Sequence, residues 1–377
     1  MNKNIFYIRS TSIINDSRAS KEINSLINNN YNLTIIGWDR DKRIKDYNNV
    51  ILNDNNIKCI FFKYSSTYGG SIKNIIGLLL FQIWLFCILC KNHKKIDYIH
   101  ACDFDCGYIS MIVCKLLKKE IVYDMYDYYS DSRPMPKVIK NIIDNLENKI
   151  INYASASIIC GDWRKEQIKK AKPNKLYVIH NTPDIKNINK KKIIKTTNNK
   201  IKIGYIGILQ ENRLIMEIIN ELKGNEDYEL HIGGFGIYAN EIENISKKYK
   251  NIYYYGSLIY NDVLSLEKDC DILFATYDPN IPNHKYSAPN KIYEAMSLGK
   301  PIIVCKNTGI DKLIIENKLG YAIDYSSKEF KKTLKNIKSQ DLKDISKNAK
   351  KLYNEKYNWK KMEEVLIDIY KYIGGSK

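Results

Sequence analysis

Short runs of β-branched and aromatic residues alternate along the chain with longer stretches in which apolar residues recur at three- and four-residue spacing. From the start the order is NIFYIR, a helix near Asp16 to Asn30, LTIIGW, IKCIFF and then a strongly apolar helix. The pattern continues through DYIHA, a helix around Gly107 to Lys118, EIVYD, a helix over Lys137 to Tyr153, ASIIC, a helix over Arg164 to Ala171, and LYVIHN. Strands separated by helices imply a parallel sheet covered on both faces, so residues 1–184 are expected to form one doubly wound domain. Periodicity then fails, and residues 185–200 predict a basic linker. That tract has neither Arg nor an aromatic side chain to stack on bases, which argues against a nucleic-acid tail.

From Ile201 the alternation restarts with IKIGYIG, a helix near Arg213 to Leu222, YELHIGG, a helix near Ile237 to Tyr249, NIYYYG, a short helix, DILFA, a helix Asn290 to Leu298, and PIIVC. A second doubly wound domain is expected over 201–355, with a C-terminal helix at 356–377 that packs back and can cross to the first domain. The expected class is therefore α/β, two Rossmann-like doubly wound domains facing a cleft.

The longest apolar run, Ile75 to Cys90, is about 16 residues and falls short of the roughly 20 needed to span a bilayer. A buried domain helix is the favoured reading, with a helix lying in a membrane interface as its alternative. The opening MNKNIFYIRS has no cleavage-site pattern, so no signal peptide is expected. Nine cysteines, most of them in apolar runs and without metal spacing, predict reduced buried thiols, a cytoplasmic setting and no bound metal. The charge is less ordinary: 60 Lys and Arg against 42 Asp and Glu leave a net +18. Nucleic acid, an anionic membrane and a phosphate-bearing substrate would each reward it. Lys, Ile, Asn and Tyr are overused together, so much of the excess reads as compositional drift.

Ligands of open parallel sheets bind beyond the carboxyl ends of strands, where helices begin. The most informative such place is YSAPNKIYEAMSLGKPIIVC, Tyr286 to Cys305. Pro289 presets a helix start, the N–H groups of Asn290 and Lys291 would face an anion, and Glu294 lies one turn on, where a carboxylate can accept two ribose hydroxyls. Gly299 ends the helix before Pro301.

This P-x-K-x-x-E-x-M-x-x-G-K-P-I-I string resembles the donor-nucleotide helix of GT-B glycosyltransferases, especially the family 4 group, also called glycosyl transferases group 1. Other segments resemble that family in the same order over nearly the whole chain. IGYIGILQENRLIMEII is similar to its first C-domain strand, loop and helix, which implies that Gly207 and Arg213 hold the donor pyrophosphate. LHIGGFG is similar to its Gly-rich turn and points to Gly233 and Gly234. YYYGSLIYNDV resembles the loop that reads the base through its backbone, beside Ser257, Leu258 and Ile259. The segment TYDPNIPNHKY places Asp278, Asn283 and Tyr286 near the sugar, Tyr286 standing where many members carry Glu.

In the first domain, INDSRASKEI resembles the opening loop of the branch with D-x-R, which implies that Asp16 and Arg18 meet the acceptor, an intrahelical salt bridge being the alternative. HACDFDCGY offers Asp103 and Asp105 as acceptor-binding or helix-capping carboxylates, with His100 as a core histidine. VYDMYDYYSD is similar to the family's D-x-H-D segment, but Tyr126 stands in place of its His; Asp127 is retained.

The resemblance implies transfer of a sugar from a UDP- or GDP-linked donor to a hydroxyl of a glycan or lipid-linked acceptor, with retention, without metal or other cofactor, in the synthesis of a cell-surface polysaccharide or glycoconjugate. Asp127, Tyr126, Arg213 and Lys291 are the expected catalytic set, the two cations stabilising the leaving diphosphate. A cytoplasmic protein peripheral on an anionic inner membrane face is the expected setting. A noncatalytic GT-B subunit that binds sugar nucleotide, and a UDP-sugar 2-epimerase, are the rivals. Nucleic acid is not an expected partner, because no helix-turn-helix, RRM or finger pattern is present.

Overall fold

The computed structural model describes residues 2–13, 16–42, 44, 51–52, 55–66, 72–185, 192–194 and 199–375. Most of the expected linker, 186–191 and 195–198, lies outside them. The chain forms two compact units, Met1–His180 with Met362–Lys377, and Asn181–Lys361. The first break thus falls at His180, ahead of 184, because 181–184 are bound within the second unit: Thr182 Oγ1 donates to the Tyr357 carbonyl, and Tyr353 Oη donates to the Pro183 carbonyl at 2.8 Å.

The first unit is built on strands β1 (Asn4–Ile8), β2 (Asn32–Trp38), a small hairpin of β3 (Ile51–Leu52) and β4 (Asn55–Asn56), then β5 (Lys58–Phe62), β6 (Tyr98–Cys102), β7 (Glu120–Met125), β8 (Ala156–Ile159) and β9 (Leu176–Val178). Its main sheet has the order β5-β2-β1-β6-β7-β8-β9, and every neighbouring pair in it is parallel. Its helices are α1 (Ser17–Asn28), α2 (Ile72–Lys91), α3 (Asp103–Leu117) and α4 (Lys137–Tyr153). Strands such as β6, buried at every position, are covered on both faces, as a parallel sheet packed between helices requires. Ile8, Ile36, Trp38, Phe81, Ile99 and Val113 lie in its core.

The second unit repeats the plan. Strands β10 (Ile201–Ile206), β11 (Tyr228–Gly233), β12 (Ile252–Tyr254), β13 (Ile272–Ala275), β14 (Ile302–Cys305) and β15 (Gly320–Ile323) take the order β12-β11-β10-β13-β14-β15. They too are parallel throughout. Helices α5 (Ile215–Leu222), α6 (Ala239–Lys248), α7 (Tyr260–Asp269), α8 (Pro282–Lys285), α9 (Asn290–Leu298), α10 (Ile310–Glu316), α11 (Ser327–Asn336) and α12 (Ser339–Leu352) follow the strands, and α13 (Trp359–Gly375) closes the chain. In each sheet the strand order reverses direction beside the first strand, at β1/β6 and at β10/β13. Ligands of such sheets enter at that point, beyond the carboxyl ends.

Two expectations are corrected. The helix predicted over Arg164 to Ala171 is only a 3-10 turn, Asp162–Lys165, followed by hydrogen-bonded turns; with Arg164 and Ile168 as its few buried anchors it does not repay helix nucleation. The C-terminal helix expected over 356–377 is α13, Trp359–Gly375, set off from α12 by the π-helical turn Tyr353–Tyr357. The apolar run is not a buried helix. It extends to 20 residues as α2, and only 28% of the stretch Asn74–Lys91 is buried. Of the nine free cysteines, six are buried as expected, whereas Cys87 on α2 is exposed.

Candidate functional site

At the carboxyl end of β10 the backbone turns at Gly207, whose N–H donates to the Gly233 carbonyl at 2.9 Å and so ties the β10 and β11 loops together. Gly234 follows with φ +131°, and a Cβ there would collide with the Gly207 carbonyl. Its own N–H donates to the Gly256 carbonyl at 2.7 Å. Leu258 closes on the same spot, since a Cβ on Gly233 would lie 3.1 Å from its side chain. Four of the glycine and loop residues expected from sequence thus meet in one place.

Lys291 is brought to that place by α9. Its N-cap is Pro289, and no side chain caps the first turn, leaving the N–H groups of that turn directed outward. The Lys291 ammonium, 8% exposed, donates to the Ile206 carbonyl. It lies 4.7 Å from the centre of the Tyr205 ring, and a Cβ on Gly207 would sit 2.5 Å from it. Burial works against its charge, but Tyr205, Tyr277, Glu267 and Glu294 around it raise its pKa above the usual lysine value. An ammonium, a helix N-terminus and a glycine turn at one strand end form an anion seat.

Arg213 approaches from the β10–α5 loop. Its Nη1 donates to Tyr205 Oη at 3.2 Å, and its guanidinium lies 4.9 Å from the Tyr277 ring centre. Asn212 and Leu214 on either side take φ of +64° and +52°. These conformations are held by the Asp278 N–H on the Asn212 carbonyl at 3.1 Å and by Thr276 Oγ1 on the Arg213 carbonyl at 2.6 Å. Glu294, one turn into α9, is buried and accepts from Tyr260 Oη at 3.0 Å. Behind it Glu267 on α7 is 1% exposed, with neither carboxylate oxygen hydrogen-bonded among the described residues. Burial first, and then the charge of Glu294, hold Glu267 well above the usual carboxylate range.

Around this centre Ser257 and Ile259 are exposed in the β12–α7 loop, and Tyr286 is half-buried at the end of α8. Asn283 buries an Oδ1 with no partner among the described residues. Sequence reasoning did not single out Tyr205, Tyr260, Tyr277 or Glu267. Glu267 had a signal: it lies three residues after Leu264 in VLSLEKD, on the face that Leu264 buries.

In the first unit Asp16 caps α1, accepting from the Arg18 and Ala19 N–H groups at 3.1 Å each. Arg9 pairs with Asp16 at 2.6 Å and with Asp103 at 3.3 Å. Asp103 in turn accepts from the backbone N–H of Tyr126 at 2.9 Å and of Asp127 at 3.2 Å. Burial, opposed by Arg9, raises Asp103 to about 6. Asp127 is exposed and paired at 3.1 Å with the buried Arg164. These groups form one connected set at the β1/β6 end.

Two expected acceptor residues lie elsewhere, and the assignment is corrected for both. Arg18 is 2% exposed, bound to Glu22 at 2.9 Å and to Asp124 at 2.6 Å, so it neutralises interior carboxylates and does not reach a ligand. This is the salt-bridge alternative, extended to Asp124. Asp105 is 5% exposed and accepts from Ser10 Oγ at 3.1 Å. Tyr126 is also inward: its ring lies 3.8 Å from the Arg9 guanidinium and 4.3 Å from that of Arg18, and its hydroxyl meets Tyr7 Oη at 3.0 Å. Burial raises its pKa well above the usual tyrosine value, so it keeps its proton. His100, Cys102 and Asp124 bring ligand atoms within 4.8 Å of one another. Arg18 already bonds that Asp124, and burial pushes the Cys102 thiol up, so the set does not fit a metal ion.

Residues 200–339 match the family model described as glycosyl transferases group 1. No curated protein matches the chain. Among solved structures, sucrose-phosphate synthase from Thermosynechococcus elongatus superposes with a TM-score of 0.78 at 12% identity, covering 100% of each chain. Anabaena Alr3699/HepE in complex with UDP-glucose gives 0.71 at 15%, covering 98% of this chain and 99% of that one. The apo form of the lipopolysaccharide outer core galactosyltransferase WaaB gives 0.67 at 16%, covering 97% and 99%. At these identities the likeness is one of fold, two parallel sheets with helices in the GT-B arrangement.

Proposed function

We propose that this chain, whose residues 200–339 match the group 1 family model, is a GT-B glycosyltransferase that moves a sugar from a nucleotide-sugar donor to a hydroxyl of a glycan or lipid-linked acceptor. The observation that carries this reading is the convergence of Lys291, Gly207, Arg213 and the α9 N-terminus at the carboxyl end of β10, with Glu294 one turn away. A diphosphate leaving group develops negative charge as its bond to the sugar breaks. Fixed cations and uncapped N–H groups stabilise that charge without reorganising at the moment of reaction. Glu294, held by Tyr260, is the carboxylate for the ribose hydroxyls. Reaction without metal is part of the proposal, because the cations and helix terminus can supply the leaving-group stabilisation by themselves; retention is part of it through the resemblance to family 4. On the acceptor side Asp127, Asp103 and Asp16 are the groups offered to hydroxyls.

UDP is the favoured nucleotide, since the HepE structure holds UDP-glucose on the same fold. A cell-surface polysaccharide or glycoconjugate product follows the same line from WaaB, a lipopolysaccharide galactosyltransferase. Purified protein incubated with a panel of UDP- and GDP-sugars should release the nucleoside diphosphate from at least one of them. Absence of turnover with every donor and with membrane extracts as acceptor source would contradict the enzymatic reading. Tyr126 favours a second reading, a subunit that binds sugar nucleotide without turning it over, because its buried hydroxyl cannot act as a base near neutrality. Binding without release in the same panel identifies that case.

A further inference from the structure

Among the described residues, α2 is held on the first unit by one stripe. Phe81, Leu85 and Leu89 are fully buried beneath it, and Trp38 stacks on Phe81 at 5.2 Å between ring centres. Gly77 permits this seating, since a Cβ there would lie 3.0 Å from the Trp38 ring. Gln82 Nε2 donates to the Asp105 carbonyl at 2.6 Å and pins the helix to the first turn of α3. Its rotation is therefore fixed, and the opposite side is turned outward. That side carries Ile75, Leu79 (61% exposed) and Ile83 (63% exposed) at one-turn spacing, flanked by Ile76 and Leu80. Contiguous exposure of this kind is not what a monomeric soluble domain shows on an ordinary surface.

Apolar side chains are also exposed on α4, on the other side of α3. Val138, Ile139 and Ile142 are exposed, Val138 at 71%. α3 packs against both α2 and α4, and helices of a parallel sheet return antiparallel to the strands. The first turns of α2 and α4 therefore lie at the carboxyl edge, the edge that also carries Asp103 and Asp127.

Along α2 and in the first turn of α4 the charges have one sign. α2 contains no Asp or Glu over its 20 residues, and the first turn of α4 holds no acid but begins with Lys137, contrary to the usual preference at the positive end of a helix. Exposed Lys91, Lys94 and Lys95 follow at the far end of α2. The surface is thus apolar, rimmed by cations and free of acids along α2. A bilayer with anionic headgroups satisfies both features, the side chains entering the acyl boundary and the lysines meeting phosphates.

We propose that the outer face of α2 and the first turns of α4 dock the first unit on an anionic lipid bilayer, with α2 lying along the interface. A role in presenting a lipid-linked acceptor rests on the function proposed above; the docking itself rests on α2 and α4 alone. The test is flotation of the full chain with vesicles of phosphatidylglycerol and phosphatidylcholine, against phosphatidylcholine alone, at low and high salt. The wild type should float with the anionic vesicles and lose most of that binding at high salt. The double variant Leu79→Gln/Ile83→Gln should lower the bound fraction roughly tenfold or more, and Lys137→Glu roughly fivefold. Both should keep the wild-type melting temperature and nucleotide-sugar affinity, since these residues are exposed and outside the β10 site. No flotation with anionic vesicles, or flotation that Leu79→Gln/Ile83→Gln leaves intact, overturns the proposal. A dimer in light scattering that the same double variant dissolves also overturns it, since a second copy then covers the face. Flotation by a protein that binds no nucleotide sugar supports the docking surface while contradicting the proposed function.

Discussion

Lys291 is a cation buried among two tyrosine rings, two carboxyl groups and a strand-end carbonyl, and this surrounding explains its charge better than any solvent contact does. Its removal should weaken binding of the nucleotide-sugar donor about 10- to 100-fold, the size expected for losing a charge-assisted hydrogen bond. Isothermal titration of Lys291→Ala against the wild type checks this, and an unchanged affinity would place the anion seat elsewhere. Glu147 gives a prediction about stability. It accepts from Tyr123 Oη at 2.7 Å and from the Tyr129 N–H at 3.1 Å, and burial raises it to about 8. A carboxyl whose folded pKa is raised contributes most below its unfolded pKa and loses that contribution as pH rises through the folded value. Melting temperature should therefore fall between about pH 5 and pH 8. Glu147→Gln, which can donate to Tyr123 Oη and accept from the Tyr129 N–H, should flatten that fall; a profile as steep as the wild type's would contradict the assignment.

Elements were legible in proportion to how much of their role is local. The strands were visible because a doubly covered parallel sheet makes them near-continuous apolar runs, and α9 because Pro289 and Gly299 punctuate it. What hid α2 was its apolarity on every side: composition cannot tell a helix buried all round from one seated by a single stripe on Trp38. Arg18 misled for the related reason that its partner Asp124 lies 106 positions away, beyond any helical spacing. The Gly207 and Gly234 turns are where two loops depend on one another. Gly234→Ala places a methyl against the Gly207 carbonyl at a φ that alanine rarely adopts. It should lower the melting temperature of the second unit and donor affinity together. Calorimetry paired with titration checks this, and a stable variant with normal affinity would show that the loops are not coupled.

For the whole molecule, two parallel sheets of seven and six strands place their ligand ends by topology, before any side chain is considered. The net +18 divides accordingly. Lys291 and Arg213 lie in the second unit's anion seat, Arg18 neutralises buried carboxylates of the first while Arg164 pairs with its exposed Asp127, and Lys91, Lys94, Lys95 and Lys137 rim an apolar face. The first group was visible in the sequence through a motif, whereas the other two needed the packing. The central claim is that the carboxyl end of β10 in the second unit holds a nucleotide sugar. Titration of UDP-glucose and a panel of other UDP- and GDP-sugars into the wild type and Glu294→Ala tests it most directly. At least one donor should bind saturably, with affinity reduced roughly tenfold or more in the variant, as expected for losing hydrogen bonds to a charged group. Failure to bind any donor, or equal affinity in the two proteins, would contradict it.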